Sequence, residues 1–180
     1  VFAFNKYGVS IVGIRDQGIT RRFLIDKEGT RLSEEKTYFG LTYFGSELIH
    51  TDGPEFIFLS PETGQEISDF PYTALYPLRY SDRKDLASVY KGSKKGLIDT
   101  SLTELLPADF DDIRAYIHHR VGIRQKDLWG FADEAFRMRI PFLYDDISSF
   151  KYGLAEVKKD TLKGAINRNG RIVVPIQYTG

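Results

Sequence analysis

The 180-residue sequence has no cysteine, one tryptophan, one methionine and three histidines, and it carries no excess charge of either sign. Without cysteine there is no disulfide, no thiolate zinc site and no thiol nucleophile. Lys+Arg and Asp+Glu both number 25, so the chain lacks the basic field that supplies most non-specific affinity for a phosphate backbone. Neither half is a charged tail, with 10 basic and 13 acidic residues up to position 90 and 15 and 12 after it. The longest uninterrupted apolar runs, such as Phe56-Ile57-Phe58-Leu59, are four residues long. A bilayer span needs about 20. Nucleic acid and a membrane span are therefore not expected. The sequence opens at Val1 with no basic-then-apolar leader, so any signal peptide is expected to have been removed or to lie outside it. The compartment stays open.

What is present is a core-forming composition, 42% hydrophobic and 14% aromatic, arranged with a period. Lys95-Gly96-Leu97-Ile98-Asp99, Trp129-Gly130-Phe131-Ala132-Asp133 and Lys163-Gly164-Ala165-Ile166-Asn167 recur with their glycines separated by one constant step. The same step carries Pro107 to Pro141 to Pro175, Phe110 to Tyr144 to Tyr178, Val89 to Ile123 to Val157, and Tyr116 to Phe150. Walking the aromatic position backward reaches Tyr72, after an insertion of about four residues, then Tyr38 and Phe4. Asp26 and Ser60 occupy the place of Asp99, while Phe23 and Ile57 replace the glycines, so the first units are degenerate copies. The single domain 1–180 is expected to hold about five units, at 4–37, 38–71, 72–109 with the insertion, 110–143 and 144–177.

A period of about 34 residues also suits helix pairs, but the composition inside each unit does not. Arg171-Ile172-Val173-Val174-Pro175-Ile176-Gln177-Tyr178 is rich in β-branched residues and carries a proline, which suits a strand with an edge or bulge. Asp26-Lys27-Glu28-Gly29, Ser60-Pro61-Glu62-Thr63-Gly64 and Asn167-Arg168-Asn169-Gly170 each end in glycine at one place in the unit, as a strand-joining turn requires. The expectation is an all-β fold with about three short antiparallel strands per unit. The units would stack as a curved solenoid-like row or close as a small propeller. Residues 109–121 alone could read as a helix, and the repeat register overrides that reading.

These residues resemble the bacterial WG repeats. Their unit looks like a strand ending in basic residues, a Lys-Trp-Gly-x-Ile-Asp core, a glycine turn, an apolar strand with proline, and Tyr-Asp-Asp. Trp129-Gly130 and Asp133 match the core, Gly170 and Ile172 to Pro175 the turn and strand, and Phe110-Asp111-Asp112 and Tyr144-Asp145-Asp146 the end. The match is good over residues 86–180 and holds only by register before that. Lys95 and Lys163 stand where the repeat has tryptophan. The resemblance implies a non-enzymatic binding or scaffold module with no shared catalytic residues.

The sequence on its own offers little chemistry. Asp111-Asp112 and Asp145-Asp146 are paired carboxylates, yet the equivalent positions elsewhere are Phe39-Gly40, Thr73-Ala74 and Thr179-Gly180, so a calcium array is not expected. His50, His118 and His119 lack metal-ligand spacing. Lys91-Gly92-Ser93-Lys94-Lys95-Gly96 lacks the phosphate-loop pattern and reads as a hairpin tip. No catalytic residue, metal or cofactor is expected. Residues that break the repeat are more informative, because the fold does not demand them. Tyr76, Arg79, Tyr80 and Arg83 in the insertion, with His118 and His119, are the candidate binding residues, Tyr and Arg being enriched at binding hot spots. A protein or peptide partner is expected, with a carbohydrate or cell-envelope ligand, held by surface tyrosines and Trp129, as the alternative. An enzyme built on the array ranks third.

Overall fold

A computed structural model of the chain describes residues 2–32, 37–38, 40–51, 56–78, 80–114 and 116–179. The fold is all-β, with seventeen strands among the described residues in five small antiparallel sheets, none of them closed into a barrel. The first sheet pairs β1 (Ser10–Asp16) with β2 (Ile19–Ile25), and the second joins β3 (Leu41–Phe44), β4 (Leu48–Thr51) and β5 (Phe58–Leu59). The third holds β6 (Ala74–Pro77), β7 (Leu86–Lys91), β8 (Lys94–Asp99) and β9 (Glu104–Phe110). The fourth holds β10 (Asp112–Ile113), β11 (Val121–Gln125), β12 (Leu128–Ala132) and β13 (Met138–Tyr144). The fifth holds β14 (Asp146–Ile147), β15 (Leu154–Lys159), β16 (Leu162–Asn167) and β17 (Ile172–Tyr178). In each four-stranded sheet the strands lie in sequence order.

The last three sheets have one strand more than the expected three. In the fourth and fifth it is a two-residue segment that starts at the second Asp of the aromatic-Asp-Asp sequence, pairing Ile113 with Ile123 and Ile147 with Val157. Two residues are too short to show a period, which hides this strand from sequence reading. The described residues of 109–121 form no helix; they contribute the end of β9, β10, a tight turn at His118-His119 and the start of β11.

The turn after each central strand is one structure built repeatedly. The Asp99 carboxylate accepts from the amides of Ser101 (2.9 Å) and Thr103 (3.0 Å), and Asn167 accepts from Asn169 and Arg171 at 3.0 Å each. Asp26 accepts from the Thr30 amide at 2.7 Å, and the Ser60 hydroxyl accepts from Glu62 and Thr63. Asp, Asn and Ser serve alike because each offers a short side-chain acceptor to the backbone just ahead of it. The left-handed position that follows is Gly29, Gly64 or Gly170, as expected, but in two units it is Leu102 (φ 62°) and Phe136 (φ 58°). Phe136 lies in a buried cluster, which offsets the backbone strain with packing.

The chain forms two compact units, residues 1–75 with 99–103, and residues 76–98 with 104–180. The first is built on Val9, Leu24, Tyr38, Leu41, Ile49 and Leu59, drawn from and around the first two sheets. The second has a core in two layers that repeat one another. Leu97, Leu106, Ile113, Tyr116, Val121, Ile123 and Ala132 form the layer between the third and fourth sheets. One period later Phe131, Ile140, Ile147, Phe150, Ala155, Val157 and Ile166 form the layer between the fourth and fifth. Within the second unit each small sheet is thus stabilised by its neighbour, as in repeat proteins generally.

Candidate functional site

The insertion proves to be a strut in the second compact unit. Ser81, 2% exposed, donates its hydroxyl to the Tyr116 carbonyl (3.1 Å), and the Asp82 amide donates to the same oxygen at 2.9 Å. The Asp82 carboxylate in turn accepts from the His118 amide at 2.6 Å. Arg83 forms a two-pronged ion pair with Asp85, at 3.1 and 2.5 Å, and its guanidinium lies 5.6 Å from the Phe136 ring centroid. Tyr76, half exposed, sits edge-on to Tyr90. Tyr80 is 88% exposed. Arg79 lies outside the described residues.

Both candidate histidines occupy left-handed positions at the tip of a turn closed by mutual hydrogen bonds between Ile117 and Arg120. His118 Nδ1 lies 2.6 Å from the Phe150 carbonyl one period on, and His119 Nδ1 lies 3.2 Å from the Glu134 carboxylate. The loop, this turn and the Glu134 turn are therefore linked in sequence: Asp82 to His118, then His119 to Glu134.

The paired carboxylates are engaged in holding strands. Lys94 pairs with Asp111, Lys95 with Asp112 at 2.6 Å, and Asp145 accepts from the Asp160 amide. At the next interface Trp129 occupies the Lys95 position, and Arg114 takes over the ion pair. Its guanidinium stacks on the Trp129 ring at 4.2 Å while donating to Asp146 at 2.6 Å. Trp129 is 4% exposed, so it offers no surface platform to a sugar, contrary to the carbohydrate expectation. Among the described residues no three His, Asp or Glu side chains converge as metal ligands.

A cluster of arginines lies outside the sequence expectations. Arg120, Arg137, Arg139 and Arg168 line a hollow of about 480 Å³ with Asp133 and Glu134, so four guanidinium groups face two carboxylates. Asp133 organises one side. Its carboxylate accepts from the amides of Ala135 (2.9 Å) and Arg137 (3.0 Å), forming the same turn as Asp99, and also holds Arg139 Nε at 2.8 Å and Arg137 Nε at 3.5 Å. The Arg137 amide, with help from Arg139 and the Ala135 amide, holds its pKa down to about 2. The carboxylate therefore stays ionised and the arginines stay held. On the other side Arg120 donates to the carbonyls of His119 (2.8 Å) and Arg168 (3.0 Å), while its buried Nε has no acceptor among the described residues. The exposed Arg168 side chain makes no hydrogen bond or ion pair among the described residues.

A sequence signal for this hollow exists. One period earlier, Arg120, Arg137, Arg139 and Arg168 correspond to Leu86, Thr103, Leu105 and Glu134, and three of them correspond to Leu154, Arg171 and Val173 one period later. The repeat does not require arginine at these places.

Small antiparallel sheets, a common turn and a core repeated at one constant interval define a β-repeat protein. The family described as "WG containing repeat" matches residues 129–160 and 164–180, so this part of the chain is similar to it. No curated protein matches the sequence. Among solved structures, a computationally designed protein is 15% identical over 95% of this chain and 59% of that one, with a TM-score of 0.39. The dihydro-heme d1 dehydrogenase NirN, in complex with DHE, is 14% identical over 99% of this chain and 46% of that one, at 0.43. An uncharacterized protein from Listeria monocytogenes EGD-e is 11% identical over 96% of this chain and 63% of that one, at 0.36. The chain thus spans less than two thirds of the length of each of these, and at such low superposition scores nothing about fold or activity carries over from them.

Proposed function

We propose that the chain is a non-enzymatic interaction module that takes a protein or peptide partner. One observation carries this reading: the insertion, which breaks the repeat, makes contacts in the second compact unit from Asp82 to the 117–120 turn and from Arg83 to Phe136, and His119 in that turn meets Glu134. The groups that could do chemistry, by contrast, are engaged in structure. The paired carboxylates neutralise lysines or arginine or cap a backbone amide, and His118 holds a carbonyl of the next unit. A rigid scaffold that presents loop residues it does not need for folding is the usual basis of recognition.

The test is selection from a random peptide display library followed by titration of the selected peptides. Binding weakened by Tyr80→Ala, and unchanged by Arg15→Gln on the exposed end of β1, supports the module. Recovery of no peptide, or equal binding by the Tyr80→Ala and Tyr76→Ala variants, overturns this surface. Tyr80 and Tyr152, 88% and 92% exposed, keep a glycan as the second reading. Binding of neutral oligosaccharides with no peptide binding would favour it.

A further inference from the structure

We infer that the arginine-lined hollow is a binding site for an anionic peptide segment, one carrying clustered carboxylates or a phosphorylated side chain. The inference rests on the interaction-module reading and names the chemistry of its ligand. Three observations support it.

First, the hollow carries a positive excess in a chain that has none overall. The sequence is neutral, yet four arginines and two carboxylates meet in one hollow. Like charges are costly to gather unless something of opposite sign is to be bound, and Asp133 cancels only part of the excess. Second, the arginines are placed by groups that leave donors available. Arg139 and Arg137 each direct Nε to Asp133, and Arg120 spends its terminal nitrogens on two backbone carbonyls. Nothing described occupies the terminal nitrogens of Arg137 and Arg139 or any donor of Arg168. Guanidinium forks of this kind match carboxylate and phosphate oxygens in paired hydrogen bonds, the chemistry by which arginine clusters read acidic and phosphorylated motifs. Third, the arginines are absent from the equivalent places of the preceding unit, where leucine, threonine and glutamate stand. One period later only Arg137 meets an arginine, Arg171, so the repeat does not require the set.

A peptide fits better than an isolated ion because the hollow, at about 480 Å³, is far larger than a single oxyanion. Glu134 at its edge also meets His119 at 3.2 Å.

The experiment is calorimetric titration of the intact chain at low salt with four probes: an Asp/Glu-rich peptide, a phosphoserine peptide, its unphosphorylated neutral counterpart, and a sulfated oligosaccharide. Binding of either anionic peptide and not of the neutral one is expected, weakening as salt rises. Arg168→Gln should weaken it by about tenfold, the usual cost of one hydrogen bond to a charged group. Arg168 supports no other described side chain, so this variant should fold, which its thermal midpoint verifies. Arg137→Gln serves as the second variant and Arg15→Gln as the control. If peptides bind without regard to charge and Arg168→Gln has no effect, the anionic specificity is wrong and the module reading survives. If the sulfated oligosaccharide alone binds, both are wrong.

Discussion

The glycine that recurs as Gly96, Gly130 and Gly164 allows the most direct test of how the fold is built. At Gly130 an added Cβ would lie 2.5 Å from the Ile140 carbonyl oxygen, 2.9 Å from the Pro141 carbonyl carbon and 2.9 Å from Met138 Cε. The first two are backbone atoms of β13, at the place where its register against β12 shifts between Trp129 and Phe131. Gly96 and Gly164 meet the same crowding, from Leu106 O at 2.7 Å and Val174 O at 2.6 Å. Relief requires the carbonyl to retreat by the better part of an ångström, which carries Ile140, 2% exposed, out of the core layer it shares with Phe131. Overpacking that moves backbone costs about 1–3 kcal/mol, and a backbone obstacle places Gly130→Ala near the upper end, about 3 kcal/mol. In urea, with a slope of about 2 kcal/mol/M, the midpoint should fall by about 1.5 M. Trp129, buried in the same sheet, reports the transition by fluorescence. Gly122→Ala is the matched comparison, because its new Cβ meets Ile147 Cδ1 at 2.7 Å, a methyl group that can rotate aside. It should cost about 1 kcal/mol or less. Adding Met138→Ala to Gly130→Ala should restore little, since the obstacle is the carbonyl. A Gly130→Ala variant as stable as the parent, or no less stable than Gly122→Ala, would refute the steric argument.

Three further outcomes are expected. Trp129→Ala should cost about 3–5 kcal/mol in denaturant unfolding, and Trp129 emission in the parent should be blue-shifted and resist quenching by iodide, since the ring is buried and stacked by Arg114. Asp82→Ala, which leaves the His118 amide without its 2.6 Å acceptor, should lower stability by about 1–2 kcal/mol, whereas Tyr80→Ala at an exposed site should stay within about 0.5 kcal/mol. The Asp133 carboxyl, read by NMR, should titrate near 2, below its ordinary 3.8. A depressed pKa contributes stability that is present above pH 3.8 and is lost as the pH falls through about 2, so Asp133→Asn should flatten the acid limb of the stability profile over that window. Asn167 already forms the same turn as a neutral residue.

The β architecture is legible in the sequence because its signals are local or strictly periodic. Asp, Asn and Ser at the turn, glycine at a left-handed position and β-branched runs each act within a few residues, and Tyr116 and Phe150 enter equivalent core layers because they are one period apart. Features with neither property escape such a reading. The two-residue strands β10 and β14 are too short to carry a pattern, and nothing in the sequence around Phe136 announces its positive φ. The arginine hollow is hidden for another reason. Arg120 and Arg137 come together through the pairing of β11, β12 and β13 in the fourth sheet, and Arg168 joins them from the turn after β16 in the fifth. The insertion stands out in the sequence as irregular, but its hydrogen bonds to Tyr116 and His118 give Ser81 and Asp82 a structural task that composition does not reveal.

The degenerate first units show that glycine and proline in this repeat act as one device. Where Gly130 is present, β13 can press its bulged backbone against β12, and Pro141 sits in that bulge, where it withdraws no needed ladder hydrogen bond. At the equivalent of the glycine, units one and two carry Phe23 and Ile57; at the equivalent of the proline they carry Glu35 and Asp69. Both halves of the device are lost together. Among the described residues no continuous outer strand then runs beside β2 or β5, only the single bridges Ile25–Arg31, Arg22–Tyr38 and Leu59–Glu66. The space is used differently in each. Arg31 stacks on Phe23 at 4.6 Å, while Phe58 packs against Phe70 at 4.3 Å and Phe70 against Tyr72. A side chain at the glycine position blocks the close approach of the bulge, and without the bulge the proline has no role. Among the described residues, cation–π and aromatic contacts are made at this place instead.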